Sequence, residues 1–135
     1  MKRPVTWFAA ALCAALLHPN VAGADETVKP VFAGALPNVP GNNLSAVLVT
    51  YKPGESSATH HHAGSVFAYV LSGAIRSQVS GDAEPKVYKA GESFFEPPGS
   101  DHLVSENASD TEPASLLAVI VAEDGATLTE AGKRN

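Results

Sequence analysis

The sequence predicts an all-β chain folded as one antiparallel sandwich or closed barrel. Three observations predict it. Turn-forming residues recur along the chain, at Pro37 to Asn43, Pro53-Gly54, Gly64, Ser72-Gly73, Ser80 to Asp82, Lys89 to Gly91, Pro97 to Gly99 and Asn107 to Pro113. The segments between them are short and rich in Val, Phe and Tyr, at the spacing typical of sandwiches and barrels. No stretch carries a helical stripe long enough to compete, 124–132 being the nearest approach.

The elements follow in order. Met1-Lys2-Arg3 is a basic start, Trp7 to Leu17 is unbroken apolar sequence, and Ala22-Gly23-Ala24 places small residues at a cleavage site. This is the pattern of a secretory signal peptide over 1–24, cleaved after Ala24. The apolar run is too short to span a bilayer, which needs ~20 residues. Residues 25–43, with Pro30, Pro37 and Pro40, read as an N-terminal arm or edge strand. Strands are expected near 29–33, 44–51, 66–71, 74–79, 85–88, 92–96, 101–106 and 115–122. Residues 44–122 then form the barrel and 123–135 a C-terminal tail.

Composition narrows the function. At 135 residues the chain is one domain, and its 44% hydrophobic content excludes wholesale disorder. The formal charge of −5 becomes −7 once Lys2 and Arg3 leave with the signal. An acidic chain without a Lys/Arg cluster is not built for nucleic acid or for an anionic membrane surface. The single Cys13 lies in the signal, so the exported chain has no disulfide and no thiolate ligand. A periplasmic or secreted location is expected, with no stable membrane association after cleavage.

Chemistry concentrates in the histidines. His60, His61 and His62 are consecutive, and His102 follows the Pro97-Pro98-Gly99 turn. On an extended strand alternate side chains share a face, so His60 and His62 point one way and His61 the other. Two imidazoles so placed can grip one metal ion, and His102 can enter the same space from another strand.

Two longer patterns surround these residues. Gly54, His60-His61-His62 and Tyr69-Val70-Leu71-Ser72-Gly73 resemble the first motif of the cupin superfamily. Gly91, Pro97-Pro98-Gly99, His102 and Asn107 resemble its second. The resemblance covers roughly 44–122. It implies a small jelly-roll β-barrel with a divalent transition metal at its mouth, held by His60, His62 and His102. It also suggests a homodimer, the 25–43 arm being free to pair with a partner's sheet edge.

One departure matters. The family's full first motif carries a Glu ligand four residues after the second His, and here that position is Val66. The site is then either three-His, or completed from elsewhere by Gln78 or Glu96. Glu96, flanked by Phe94, Phe95 and Pro97, is also the candidate general acid/base. Arg76, the only Arg between Arg3 and Arg134, is the candidate clamp for a substrate carboxylate. Val66, Phe67, Ala68, Tyr69 and Phe94 are expected near an apolar cavity wall. Imidazole ligands leave Fe, Zn, Mn, Ni and Cu unresolved. Three neutral imidazoles leave the full metal charge uncompensated, which favours a small anionic ligand such as a carboxylate or enolate. A metal-dependent dioxygenase, decarboxylase or isomerase, or a non-enzymatic metal- or small-molecule-binding protein, fits these residues.

Overall fold

A computed structural model describes residues 26–134; the expected signal peptide lies outside the described residues. Those residues form ten strands and no helix. They are β1 (Thr27–Ala35), β2 (Asn42–Tyr51), β3 (His60–His62), β4 (Ser65–Ser72), β5 (Ala74–Val79), β6 (Lys86–Lys89), β7 (Ser93–Glu96), β8 (Asp101–Asn107), β9 (Ala114–Glu123) and β10 (Thr129–Ala131).

The strands make two five-stranded antiparallel sheets, ordered β1-β2-β9-β4-β7 and β10-β3-β8-β5-β6. The chain passes repeatedly from one sheet to the other, which is the jelly-roll arrangement. Gly73 makes one such passage between β4 and β5, with φ of 67°. A side chain there would be strained by that φ and would also collide with the Pro113 carbonyl.

Period-2 alternation decides which face each strand buries. In β9, Ala114, Leu116, Ala118, Ile120 and Ala122 are buried, while the intervening residues are half-buried. Val66, Ala68 and Val70 of β4 and Ile75 of β5 complete the core with Tyr51 and Phe94. The first sheet thus supplies most of the apolar interior, while the second turns Ile75 and several buried polar residues, Ser77, His102, Ser105 and Asn107, toward it.

One element differs from the sequence expectation. Residues 124–132 are not helical: Gly125 and Gly132, both at positive φ, bracket a segment that ends in β10. That strand pairs with β3, matching Thr129 to His62, Glu130 to His61 and Ala131 to His60. At the other end, β1 agrees with the edge-strand alternative for 25–43 and is longer than the expected 29–33, pairing with β2 from Thr27 to Ala35.

Candidate metal centre

The three motif histidines converge because of strand pairing. β3 lies antiparallel to β8 with His60 opposite His102. His62, two residues on, shares the inward face with His60. The ring centroids of His60 lie 5.0 Å from those of both His62 and His102. One ligating nitrogen or equivalent atom from each of the three lies within 4.8 Å of the others. His61 points away, with Nδ1 3.1 Å from the Gly132 carbonyl and Nε2 3.2 Å from Glu130.

Each of the three rings is held by its rear nitrogen. His60 Nδ1 lies 2.8 Å from the Ala58 carbonyl. His62 Nδ1 sits 3.2 Å from the Leu128 carbonyl and 3.0 Å from Thr129 Oγ1. Buried His102 bonds Ser77 Oγ through Nε2 at 2.8 Å. Such rear bonds fix tautomer and ring orientation and leave the forward nitrogen to a metal.

Glu96 closes the group from the opposite sheet. It is 4% exposed, with Oε1 3.2 Å from His102 Nδ1 and Oε2 3.8 Å from His62 Nε2. Burial pushes the His60 and His62 pKa values down, with help from the charges of neighbouring histidines. Burial alone would raise the Glu96 carboxyl. The His102 hydrogen bond and the charges of His102, His62 and His60 outweigh it and hold the carboxyl below its ordinary value. The downward shifts at His60, His62 and Glu96 each favour the form that can bind a cation, a deprotonated imidazole or a carboxylate.

These groups open into a cavity of about 330 Å³. Its walls are mainly apolar, from Val47 and Val49 of β2, Ala68 of β4, Phe94 of β7 and Leu116, Ala118 and Ile120 of β9. Deeper in, Tyr51 hydrogen-bonds Ser57 Oγ at 2.6 Å and Ser105 Oγ at 2.8 Å. Burial raises the Tyr51 hydroxyl pKa despite those two bonds, with the nearby Glu26 and Glu96 carboxylates adding to the rise. The hydroxyl therefore stays protonated. Glu26 and Val28 of the β1 side, and Leu128, Thr129 and Ala131 near β10, complete the lining.

Several expected positions are corrected. Arg76 and Gln78 do not line the cavity. On β5 the buried face belongs to Ile75, Ser77 and Val79, so Arg76 and Gln78 take the other parity. Arg76 pairs outside with Glu106 at 2.6 Å, and the Gln78 amide donates to the Asp82 carbonyl at 3.3 Å. Gln78 is therefore no metal ligand here and Arg76 no carboxylate clamp. Val66 is fully buried in the core rather than lining the cavity, and Phe67 and Tyr69 face outward. Ser77, Thr129 and the Leu128 carbonyl escaped sequence reasoning. Parity sets Ser77 on the face of β5 opposite Arg76 and Gln78 without saying which face is inside, and the other two depend on a strand pairing with no local signal.

Two antiparallel sheets in jelly-roll order, with three converging imidazoles between them, define a class of small barrel able to hold a metal ion. The chain belongs to the cupin domain family, whose sequence profile matches residues 47–120. No curated protein matches the sequence. Among solved structures, the chain is similar to an uncharacterised Klebsiella pneumoniae protein with a double-stranded β-helix domain. That pair has a TM-score of 0.62 and 20% identity, over 87% of this chain and 90% of the other. It also resembles a Thermus thermophilus protein (TM-score 0.57, 28% identity, 80% of this chain and 90% of that one). A mutant of Bacillus subtilis oxalate decarboxylase matches with TM-score 0.56 and 27% identity, over 65% of this chain and 23% of that larger protein. Mn(II) centres have been characterised in that decarboxylase.

Proposed function

We propose that this protein is an exported, metal-dependent cupin acting on a small molecule that presents a carboxylate, enol or diketone oxygen. The observation that carries this reading is the set of three rear-bonded imidazoles converging at the mouth of an apolar cavity. His60, His62 and His102 would hold one divalent ion, with Fe, Zn, Mn, Ni and Cu all compatible with imidazole. When bound, that ion supplies Lewis-acid or, for Fe, oxygen-dependent chemistry.

The chain's own contribution is placement. Apolar walls exclude water and limit the ligand to a small molecule, in keeping with the cavity volume of about 330 Å³. Tyr51, held between two serines, presents a fixed protonated hydroxyl at the inner end. Among the described residues, no Lys or Arg lines the cavity, so anion preference would come from the bound ion.

A specific observation favours non-enzymatic binding as the second reading. The first-motif position that carries a Glu ligand in the family is Val66 here, buried in the core, so the site lacks that carboxylate. The test is metal content of protein purified from the exported fraction, followed by oxygen uptake and product analysis with a carboxylate and diketone panel. Metal-dependent turnover supports the enzyme. Tight ligand binding without turnover supports the second reading, and no metal uptake removes both.

A further inference from the structure

We propose that Tyr51, Ser57 and Ser105 form a second binding point in the cavity, a hydrogen-bond donor for one uncharged oxygen (carbonyl, ether or hydroxyl) at the far end of the ligand. This deepens the proposed function and rests on it. The ligand's first oxygen belongs to the histidine site, and its second, neutral one meets the three hydroxyls.

Strand geometry separates the two points. Tyr51 ends β2, Ser57 lies in the segment before β3, and Ser105 stands on β8. β8 skips one residue in pairing with β5, Gln78 facing Val104 and Val79 facing His102. The extra residue lets both His102 and Ser105 turn inward and be buried. At ~3.3 Å per residue their Cα atoms lie roughly 10 Å apart. Both belong to the lining of one cavity, with Val47, Val49 and Leu116 among its apolar walls.

Proton counting makes the trio a donor. The Tyr51 hydroxyl lies 2.6 Å from Ser57 Oγ and 2.8 Å from Ser105 Oγ, and no other hydrogen bond engages these hydroxyls among the described residues. Burial keeps the Tyr51 proton in place. Each hydroxyl brings one proton and each bond uses one. Three protons and two bonds leave one O–H spare, whichever way the bonds run. All three residues line the cavity, so the spare O–H is left to donate into it. The trio is not needed to pin its loop. Backbone bonds do that, from Ser57 N to the Ser105 carbonyl at 2.8 Å and from Asn107 N to the Glu55 carbonyl at 2.9 Å. Charge then sets the class of acceptor. No Lys or Arg lines the cavity among the described residues, whereas Glu26 and Glu96 do. A second carboxylate on the ligand would be buried against one donor and no cation, which is costly. A neutral oxygen needs only the one O–H.

The test titrates the full chain loaded with Zn²⁺, by calorimetry, with pentanoate, hexanoate and heptanoate. Each is compared with its analogue bearing a keto group on the penultimate carbon and with the dicarboxylate of equal length. At the best-fitting length the keto acid should bind about 5–100-fold more tightly than the plain acid, the range for leaving a buried donor unmet. The dicarboxylate should bind more weakly than the keto acid. The triple variant Tyr51→Phe, Ser57→Ala, Ser105→Ala removes the hydroxyls together and so strands no partner. It should lose the keto preference and keep its affinity for Zn²⁺ and for the plain acid. Equal binding of keto and plain acids by the wild type at every length would overturn the inference, even if the triple variant does not fold. A dicarboxylate that binds best, or a keto preference that survives the triple variant, would also overturn it while leaving the metal reading intact. Zn²⁺ uptake with no acid bound would overturn this inference, and no Zn²⁺ uptake would overturn both.

Discussion

Replacing Ser77 by Ala tests whether the ring of His102 is positioned from behind. The Ser77 hydroxyl is 2.8 Å from His102 Nε2, and both residues are 3% exposed. Water therefore has little access to replace the lost partner. A buried polar group stripped of its hydrogen bond costs about 1–3 kcal/mol. For a domain of this size that is a fall of roughly 5–15 °C in Tm. The metal-free protein should show this fall. Metal affinity should drop as well, by about 10–100-fold, because a ligand ring without its rear bond is no longer fixed. Thermal melts of the metal-free protein and a chelator-competition titration measure the two effects separately. Ser77→Thr keeps the hydroxyl and should restore most of the metal affinity. A Tm loss with unchanged affinity would refute the reasoning: Ser77 would then stabilise the fold without orienting a ligand.

Further outcomes follow from the same geometry. Arg76→Ala should leave metal and ligand binding unchanged, since the Arg76–Glu106 pair is on the outer face; exposed as it is, its loss should cost at most about 1 kcal/mol by thermal melt. His61→Ala should likewise leave metal affinity within about twofold, as its ring faces away from the other three. Gly64→Ala should prevent soluble expression or unfold the protein, because a Cβ there would run into the Val121 carbonyl. The pH dependence has a definite sign. His60 and His62 have folded pKa values below 6.5, so the unfolded chain takes up protons first as pH falls. Their contribution is present above 6.5 and is lost as pH drops below it, with Glu96 acting the same way below 4.5. Tm of the metal-free protein should decline from pH 7 toward pH 5; a rise over that window would contradict the assignment.

Much of this architecture was legible from local signals. Turn residues bracket the strands from β4 to β9, and the segment expected at 74–79 coincides with β5. The His60/His62 parity also followed from strand geometry alone. What stayed hidden depended on pairing between distant strands. β10 is only three residues long and has no periodicity of its own; its extended form comes from pairing with β3. Arg76 and Gln78 were placed on one face correctly, but parity does not say which face is inside. Ile75 and Val79 decide that, by burying the opposite one. The closeness of Glu96 to His102 and His62 required knowing that β7 lies across the barrel from β3.

The attachment of His62 to the segment before β10 has a consequence for how the protein is loaded. His60 is braced by Ala58, two residues away, whereas His62 is braced by a carbonyl 66 residues further along. Arg134 adds a bond to the His62 carbonyl at 2.8 Å. A nascent or partly unfolded chain therefore lacks the brace on His62, and that ring is fixed only once the segment leading into β10 has docked. Short edge strands are among the first elements to open locally. Undocking of β10 would act as a release step for the ion, and an ion gripped by all three rings would slow amide exchange in β3 and β10 more than elsewhere. Retention of an ion at the three histidines would then depend on how often one three-residue strand opens.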